Sequence, residues 1–132
     1  MSDDAAATAA ETIESYYDAL RAGDPLGPFF ADAPGMVKFG VGETLVGADD
    51  IVAGLRDQTE TTTDWTVESR NLTVTERDDH AWFSDDVLLA WTDADSGTGH
   101  EFETRWSGTL ELADGDWQFV AMHVSTPHEG GL

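Results

Sequence analysis

FETRWSGTLELADGDWQFVAMHVSTP, residues 102–127, is the stretch on which the fold turns. Asp114-Gly115 at its centre is a two-residue hairpin signal, because both central positions of such a turn need positive φ. The run before the turn, residues 100–113, puts Arg105 in one polar row with Glu101, Glu103, Ser107, Thr109 and Glu111. The run after it, residues 117–126, reads as apolar on both faces, with Trp117, Phe119 and Ala121 on one and Val120, Met122 and Val124 on the other. A strand with no solvent face needs cover on both sides. Helices supply one side, so a second copy of the sheet is expected on the other, giving a homodimer packed through the outer sheet face.

Upstream, residues 80–92 and 65–77 read as two further strands, the first of them entered through an Asp78-Asp79 turn and left through a glycine-rich turn over 93–99. The polar β-branched run 59–63 leads into this meander. Before it, Asp49 and Asp50 start a helix whose apolar stripe is Ile51, Val52 and Leu55 and which ends near Thr59. Residues 36–39 and 44–46 are spaced by Gly40 and Gly42 as a small hairpin, and 31–35 is a turn. Residues 24–30 carry Pro25, Pro28, Leu26, Phe29 and Phe30, which suits a short helical turn. The first helix is predicted from residue 2 or 3 to 22, with Ile13, Tyr16, Tyr17 and Leu20 at i, i+3, i+4 and i+7 and Gly23 as its stop. Helices first and a four-strand meander last make an α+β chain, read as one domain over 1–132.

Charge is the extreme feature. There are 27 acidic residues against 6 basic ones, a formal net charge of -21, with Lys38 the only lysine. Such a chain is a poor partner for nucleic acid or an anionic membrane. Its acids are spread along the whole length while 40% of residues stay hydrophobic, the pattern of a folded halophilic protein whose self-repulsion concentrated salt relieves. No apolar run approaches the ~20 residues that cross a bilayer, and MSDDAAATAA is acidic where a secretory signal would be basic, so a cytoplasmic location is expected. The absence of cysteine removes disulfides and thiolate chemistry. His80, His100, His123 and His128 have no metal-ligand spacing, Asp93-Ala94-Asp95-Ser96-Gly97 lacks the rest of a calcium loop, and Asn71-Leu72-Thr73 matches a glycosylation sequon only by pattern. No cofactor or metal is called for.

Three blocks in the N-terminal half, Tyr16-Tyr17-Asp18-Ala19-Leu20-Arg21-Ala22-Gly23-Asp24, Phe30-Ala31-Asp32 and the Gly47 before the last helix, are joined in the C-terminal half by Arg105-Trp106-Ser107, Asp114-Gly115-Asp116-Trp117 and His123-Val124-Ser125 with Pro127. Together they resemble the SnoaL-like branch of the nuclear transport factor 2-like superfamily over nearly the whole chain. The resemblance implies a cone, a curved antiparallel sheet of about six strands wrapped around three N-terminal helices, with a pocket at its open end. It implies no single reaction, because the superfamily hosts many.

The resemblance also directs attention to particular side chains. In similar proteins an arginine on the strand of Arg105 looks into the pocket, where a guanidinium grips a carboxylate; the alternative is a solvated polar row. His123 is either a satisfied core residue or a base, with Ser125 two residues on, on the same face, as a hydrogen-bonding partner. Tyr16 has the spacing to Asp24 of the helix-one tyrosine that serves ketosteroid isomerases as enolate donor, but the general-base position reads Gly35-Met36-Val37-Lys38-Phe39, with no carboxylate until Glu43. Of the adjacent Asp85 and Asp86, one faces in and the other out, and Asp86 is taken as the auxiliary acid. Trp65, Trp82, Trp91 and Trp106 are expected in core or pocket wall, Trp65 and Trp91 against a ligand. Two classes stay open: a dimeric small-molecule-binding domain, or a cofactor-independent lyase, isomerase or cyclase acting on a small organic, carboxylate-bearing substrate through His123, Asp86 and Tyr16.

Overall fold

The computed structural model describes residues 7–32, 35–41 and 43–127, so the expectations placed on residues 2–6, on residues 33 and 34 of the turn, on Gly42 and on His128 lie outside the described residues. Helix α1 spans Ala9–Ala22 and starts later than the acidic N-terminus suggests. Thr8 sets the start with a capping box: its hydroxyl accepts from Glu11 N–H while the Glu11 carboxylate accepts from Thr8 N–H. Gly23, at φ 74°, closes the helix. Its inward stripe is the predicted one, Ile13, Tyr16, Tyr17 and Leu20 all being buried. The expected helical turn is a 3-10 turn, Gly27–Phe29.

Helix α2 spans Ala48–Thr61 and buries Ile51 and Leu55, but Val52 faces solvent. The strands are β1 (Val37–Gly40), β2 (Glu43–Val46), β3 (Thr62–Ser69), β4 (Thr73–Glu76), β5 (His80–Asp93), β6 (Gly99–Ala113) and β7 (Asp116–Ser125). They form one seven-stranded sheet in the order β2-β1-β7-β6-β5-β3, with β4 also on β5. Residues 65–77 are therefore two strands rather than one, parted at Arg70-Asn71-Leu72. The sheet is mixed rather than wholly antiparallel, because β1 runs parallel to β7. The α+β class holds, with two α-helices and a 3-10 turn in place of three helices.

Strand β7 differs most from its sequence reading. Thr109 pairs with Ala121 but Leu110 with Phe119, so Val120 is an extra residue, a β-bulge. The bulge switches parity: Trp117 and Phe119 before it and Met122 and Val124 after it all face the same buried interior. The apparent two-faced strand is a one-faced strand with an insertion, and the argument for a dimer from two apolar faces falls with it. Gly108 makes room for this bend. A Cβ there would lie 2.5 Å from the Ala121 carbonyl oxygen and 2.9 Å from the Phe83 ring. Gly108→Ala is therefore expected to cost about 1–3 kcal/mol, read as a lower urea midpoint at unchanged slope.

Candidate functional site

Between the two helices and the inner sheet face lies a cavity of about 250 Å³. Its aromatic wall is Trp65, Trp91, Trp106 and Tyr16. Trp65 is aimed there by a register break in β3, where Asp64 takes φ 57°, a left-handed conformation that aspartate tolerates. The indoles of Trp65 and Trp91 stack at 4.8 Å between centroids and 21° between planes. The Trp65 N–H donates to Thr62 Oγ1 at 2.8 Å and the Trp106 N–H to Thr104 Oγ1 at 2.9 Å, so both indoles are fixed by the protein.

The polar groups of this cavity are Lys38, Glu43 and Tyr16, with Asp57 and Gln58 on the α2 side. Lys38 is 5% exposed, and its Nζ donates to Glu43 Oε1 at 2.5 Å. Lys38 has no part in the site expected from the sequence. In the structure Phe39 is 41% exposed and Lys38 points inward. A single lysine at an inward strand position was the available signal, and the parity of a four-residue strand was too little to read it by.

Tyr16 is buried, with its ring edge-on to Phe29, Phe30, Trp106 and Phe119. Every sealed side-chain N or O among the described residues has a hydrogen-bond partner, and none of those bonds involves the Tyr16 hydroxyl, which therefore meets the cavity. Burial, and then the negative charge of Glu43, push its pKa well above the usual tyrosine value. Tyr17 is raised too, by burial first and then by the Asp85 carboxylate. These are the chain's 2 tyrosines. Both favour the protonated form in the fold, so their contribution is complete below pH ~10 and is lost as pH rises above it. Absorbance at 295 nm should accordingly show no tyrosinate step near pH 10, and should rise only together with alkaline unfolding.

The other expected site residues lie across the sheet. Asp86, Arg105 and Ser125 are register partners on the outer face, and Ser84, Ser107, His123 and Phe39 form the adjacent row. All of these but Phe39 line an open depression of about 440 Å³. Arg105 and His123 thus share one groove, but both are exposed and neither enters the aromatic cavity. Arg105 Nη2 reaches only Ser125 Oγ, at 3.5 Å, and His123 sets its ring edge-on to Phe39 at 5.8 Å. His123, Asp86 and Tyr16 are therefore not brought together. The inward acid is Asp85, which is 3% exposed and accepts from Tyr17 Oη at 2.9 Å, Ser69 Oγ at 2.6 Å and Asn71 N–H at 3.0 Å. Trp82, expected in core or pocket wall, is 44% exposed, stacked on His80 beneath the Arg77 guanidinium.

The sequence model of the SnoaL-like domain matches residues 9–129. Among solved structures, a nuclear transport factor 2-like superfamily protein from Salmonella enterica subsp. enterica serovar Typhimurium str. LT2 superposes with a TM-score of 0.78 at 20% identity, over 92% of this chain and 90% of that one. A ketosteroid isomerase-like protein from Erwinia carotovora atroseptica superposes with a TM-score of 0.75 at 18% identity, over 96% and 99%. A protein with a cystatin-like fold from Caulobacter vibrioides gives 0.73 at 17% identity, over 92% and 88%. At these identities the likeness is one of fold. A search of curated proteins found no match. No helix among the described residues is long and apolar enough to cross a membrane.

Proposed function

The chain belongs to the SnoaL-like domain family, and on that premise we propose that it binds a small, uncharged, planar organic molecule in the aromatic cavity. The observation that carries this is the stacked Trp65–Trp91 pair facing a space whose one cation, among the described residues, already holds a carboxylate. Lys38 and Glu43 neutralise each other, Asp57 adds a negative group, and the whole chain carries -21. An anionic ligand meets repulsion there, while an aromatic ring with a hydroxyl or carbonyl finds indole faces, a phenol and an ion pair to hydrogen-bond. The carboxylate-bearing ligand expected from Arg105 loses its support, because that guanidinium is on the other face. Tryptophan fluorescence should be quenched saturably by 2-naphthol and far less by 2-naphthoate, with 2-naphthol binding weakened by ~10-fold or more in Trp65→Ala. Equal quenching by both probes in both proteins would remove the proposal.

A catalytic reading is favoured by the closeness of Glu43 to Tyr16. A carboxylate and a protonated phenol facing one space can move a proton and support a developing oxyanion, the elements of a cofactor-independent isomerase, lyase or cyclase. Glu43 is then the base in place of His123, and Asp86 has no part in it. Deuterium exchange beside the carbonyl of 2-tetralone, accelerated by the native protein and not by Glu43→Gln, tests this, and equal rates would end it.

For the outer face we propose a second copy of the chain, on grounds of charge rather than of β7. Among the described residues no carboxylate pairs with Arg105, although Asp86, Glu101 and Glu103 lie on the same face. Across a two-fold axis the same acids of a second copy become available to it, with exposed Phe39 and Trp82 adding apolar contact. Sedimentation in multimolar potassium chloride should show a dimer that Arg105→Glu converts to a monomer. A wild-type monomer would contradict it. A folded state maintained by high salt, and with it a salt-rich cytoplasm as the setting, completes the proposal.

A further inference from the structure

We propose that Lys38 binds a small aldehyde or ketone covalently, as an imine inside the aromatic cavity, with Glu43 carrying the protons. The inference rests on the cavity being the ligand site. Lys38 is the chain's only lysine, and it stands at an inward position of β1, one of the few buried polar side chains on a mostly apolar sheet face. Stability does not explain it there, because an ion pair with Lys38 buried and Glu43 36% exposed is commonly no better than a well-packed hydrophobic residue in place of the lysine. Its side chain is only 6% exposed, and Lys38 lines the cavity beside Trp65, Trp91 and Tyr16. A lysine amine held in an apolar pocket beside a proton acceptor has the arrangement of a lysine nucleophile.

The step balances within the residues present. The Lys38 ammonium gives one proton to the Glu43 carboxylate, 2.5 Å away. The freed lone pair forms a C–N bond to the carbonyl carbon, and the π pair of the C=O bond moves onto oxygen. Glu43 relays a second proton from nitrogen to that oxygen, giving a neutral carbinolamine. The Glu43 acid then protonates the hydroxyl, which leaves as water while the nitrogen lone pair forms the C=N bond. Ammonium and carboxylate have become iminium and carboxylate, so the ion pair survives unchanged in charge and no oxidant or reductant is consumed. The Tyr16 hydroxyl, kept protonated by burial and by Glu43, faces the same space as a donor to the carbonyl oxygen during attack. The cavity admits a single-ring aldehyde, whose ring the indole wall receives.

Benzaldehyde with sodium cyanoborohydride, applied to the full chain in high salt and followed by intact mass and peptide mapping, tests this. The expected result is one benzyl group on Lys38, formed at least ~10-fold faster in the folded chain than in urea, with Glu43→Gln slowed by ~100-fold as befits loss of an acid–base group. Lys38→Arg should keep the ion pair and gain no label at this position. Labelling confined to the α-amino group, or labelling of Lys38 at equal rates folded and unfolded, overturns the imine. Benzyl alcohol separates the two levels of the proposal, since it shares the ring and lacks the carbonyl. Quenching by benzyl alcohol without labelling by benzaldehyde ends the imine and leaves the binding site standing, and absence of both ends both.

Discussion

Transferred from multimolar potassium chloride into dilute buffer at neutral pH, the chain is expected to lose its fold, with loss of near-ultraviolet circular dichroism and red-shifted tryptophan emission. The cause is a net charge of -21 on 132 residues, with only 6 cations, some of them already engaged locally. Arg21 pairs with Asp18, Arg70 with Glu68 and Glu103, and Lys38 with Glu43, leaving acids such as the Asp49-Asp50 and Asp78-Asp79 pairs to repel their neighbours. In about 0.1 M salt that repulsion reaches ~10 Å, and in about 1 M only ~3 Å. The folded state is the more compact and so the more repelled, and a margin typical of single domains, about 5–15 kcal/mol, leaves little to offset the loss of screening. An unchanged spectrum after dialysis would contradict the halophilic reading.

Asp85→Ala is expected to destabilise the fold by about 3 kcal/mol in high salt, because it leaves the buried Tyr17 hydroxyl without its acceptor and takes a charged acceptor from two part-buried donors, Ser69 and Asn71. Those donors tie four pieces of the chain together: Tyr17 on α1, Ser69 at the end of β3, Asn71 in the β3–β4 connection and Asp85 itself on β5. Asp86→Ala, one residue along and exposed, should stay within about 0.5 kcal/mol. Urea titrations of the two variants check both values. Similar losses for the two would mean that the inward and outward assignments of this pair are mistaken.

The helical stripe of α1, the Asp114-Gly115 hairpin and the lengths of β5 and β6 were legible because each is written in many residues. The errors come from single-residue events. One inserted residue at Val120 exchanged the faces of half a strand and made β7 look buried on both sides. Strand β1 is too short for parity to be read, so Lys38 went unrecognised as the cation of the cavity. At Asp85-Asp86 alternation requires one acid inside, but only the surrounding Tyr17, Ser69 and Asn71 donors decide which. Whether Arg105 and His123 converge in the pocket is not legible in the sequence, because alternation by itself does not say whether a row faces the interior or the outside. The aromatic cavity itself is assembled from six strands and two helices that no local pattern connects.

The cavity as ligand site is the central claim, and the five tryptophans report on it separately. Indole N–H resonances of the native protein, assigned by substitution and followed during titration with 2-naphthol in high salt, give the most direct measurement. The signals of Trp65 and Trp91 should shift saturably while those of Trp82 and Trp117 stay in place. Movement of Trp82 with the His123 ring signals, or no movement of Trp65 and Trp91, would place binding elsewhere and contradict the account.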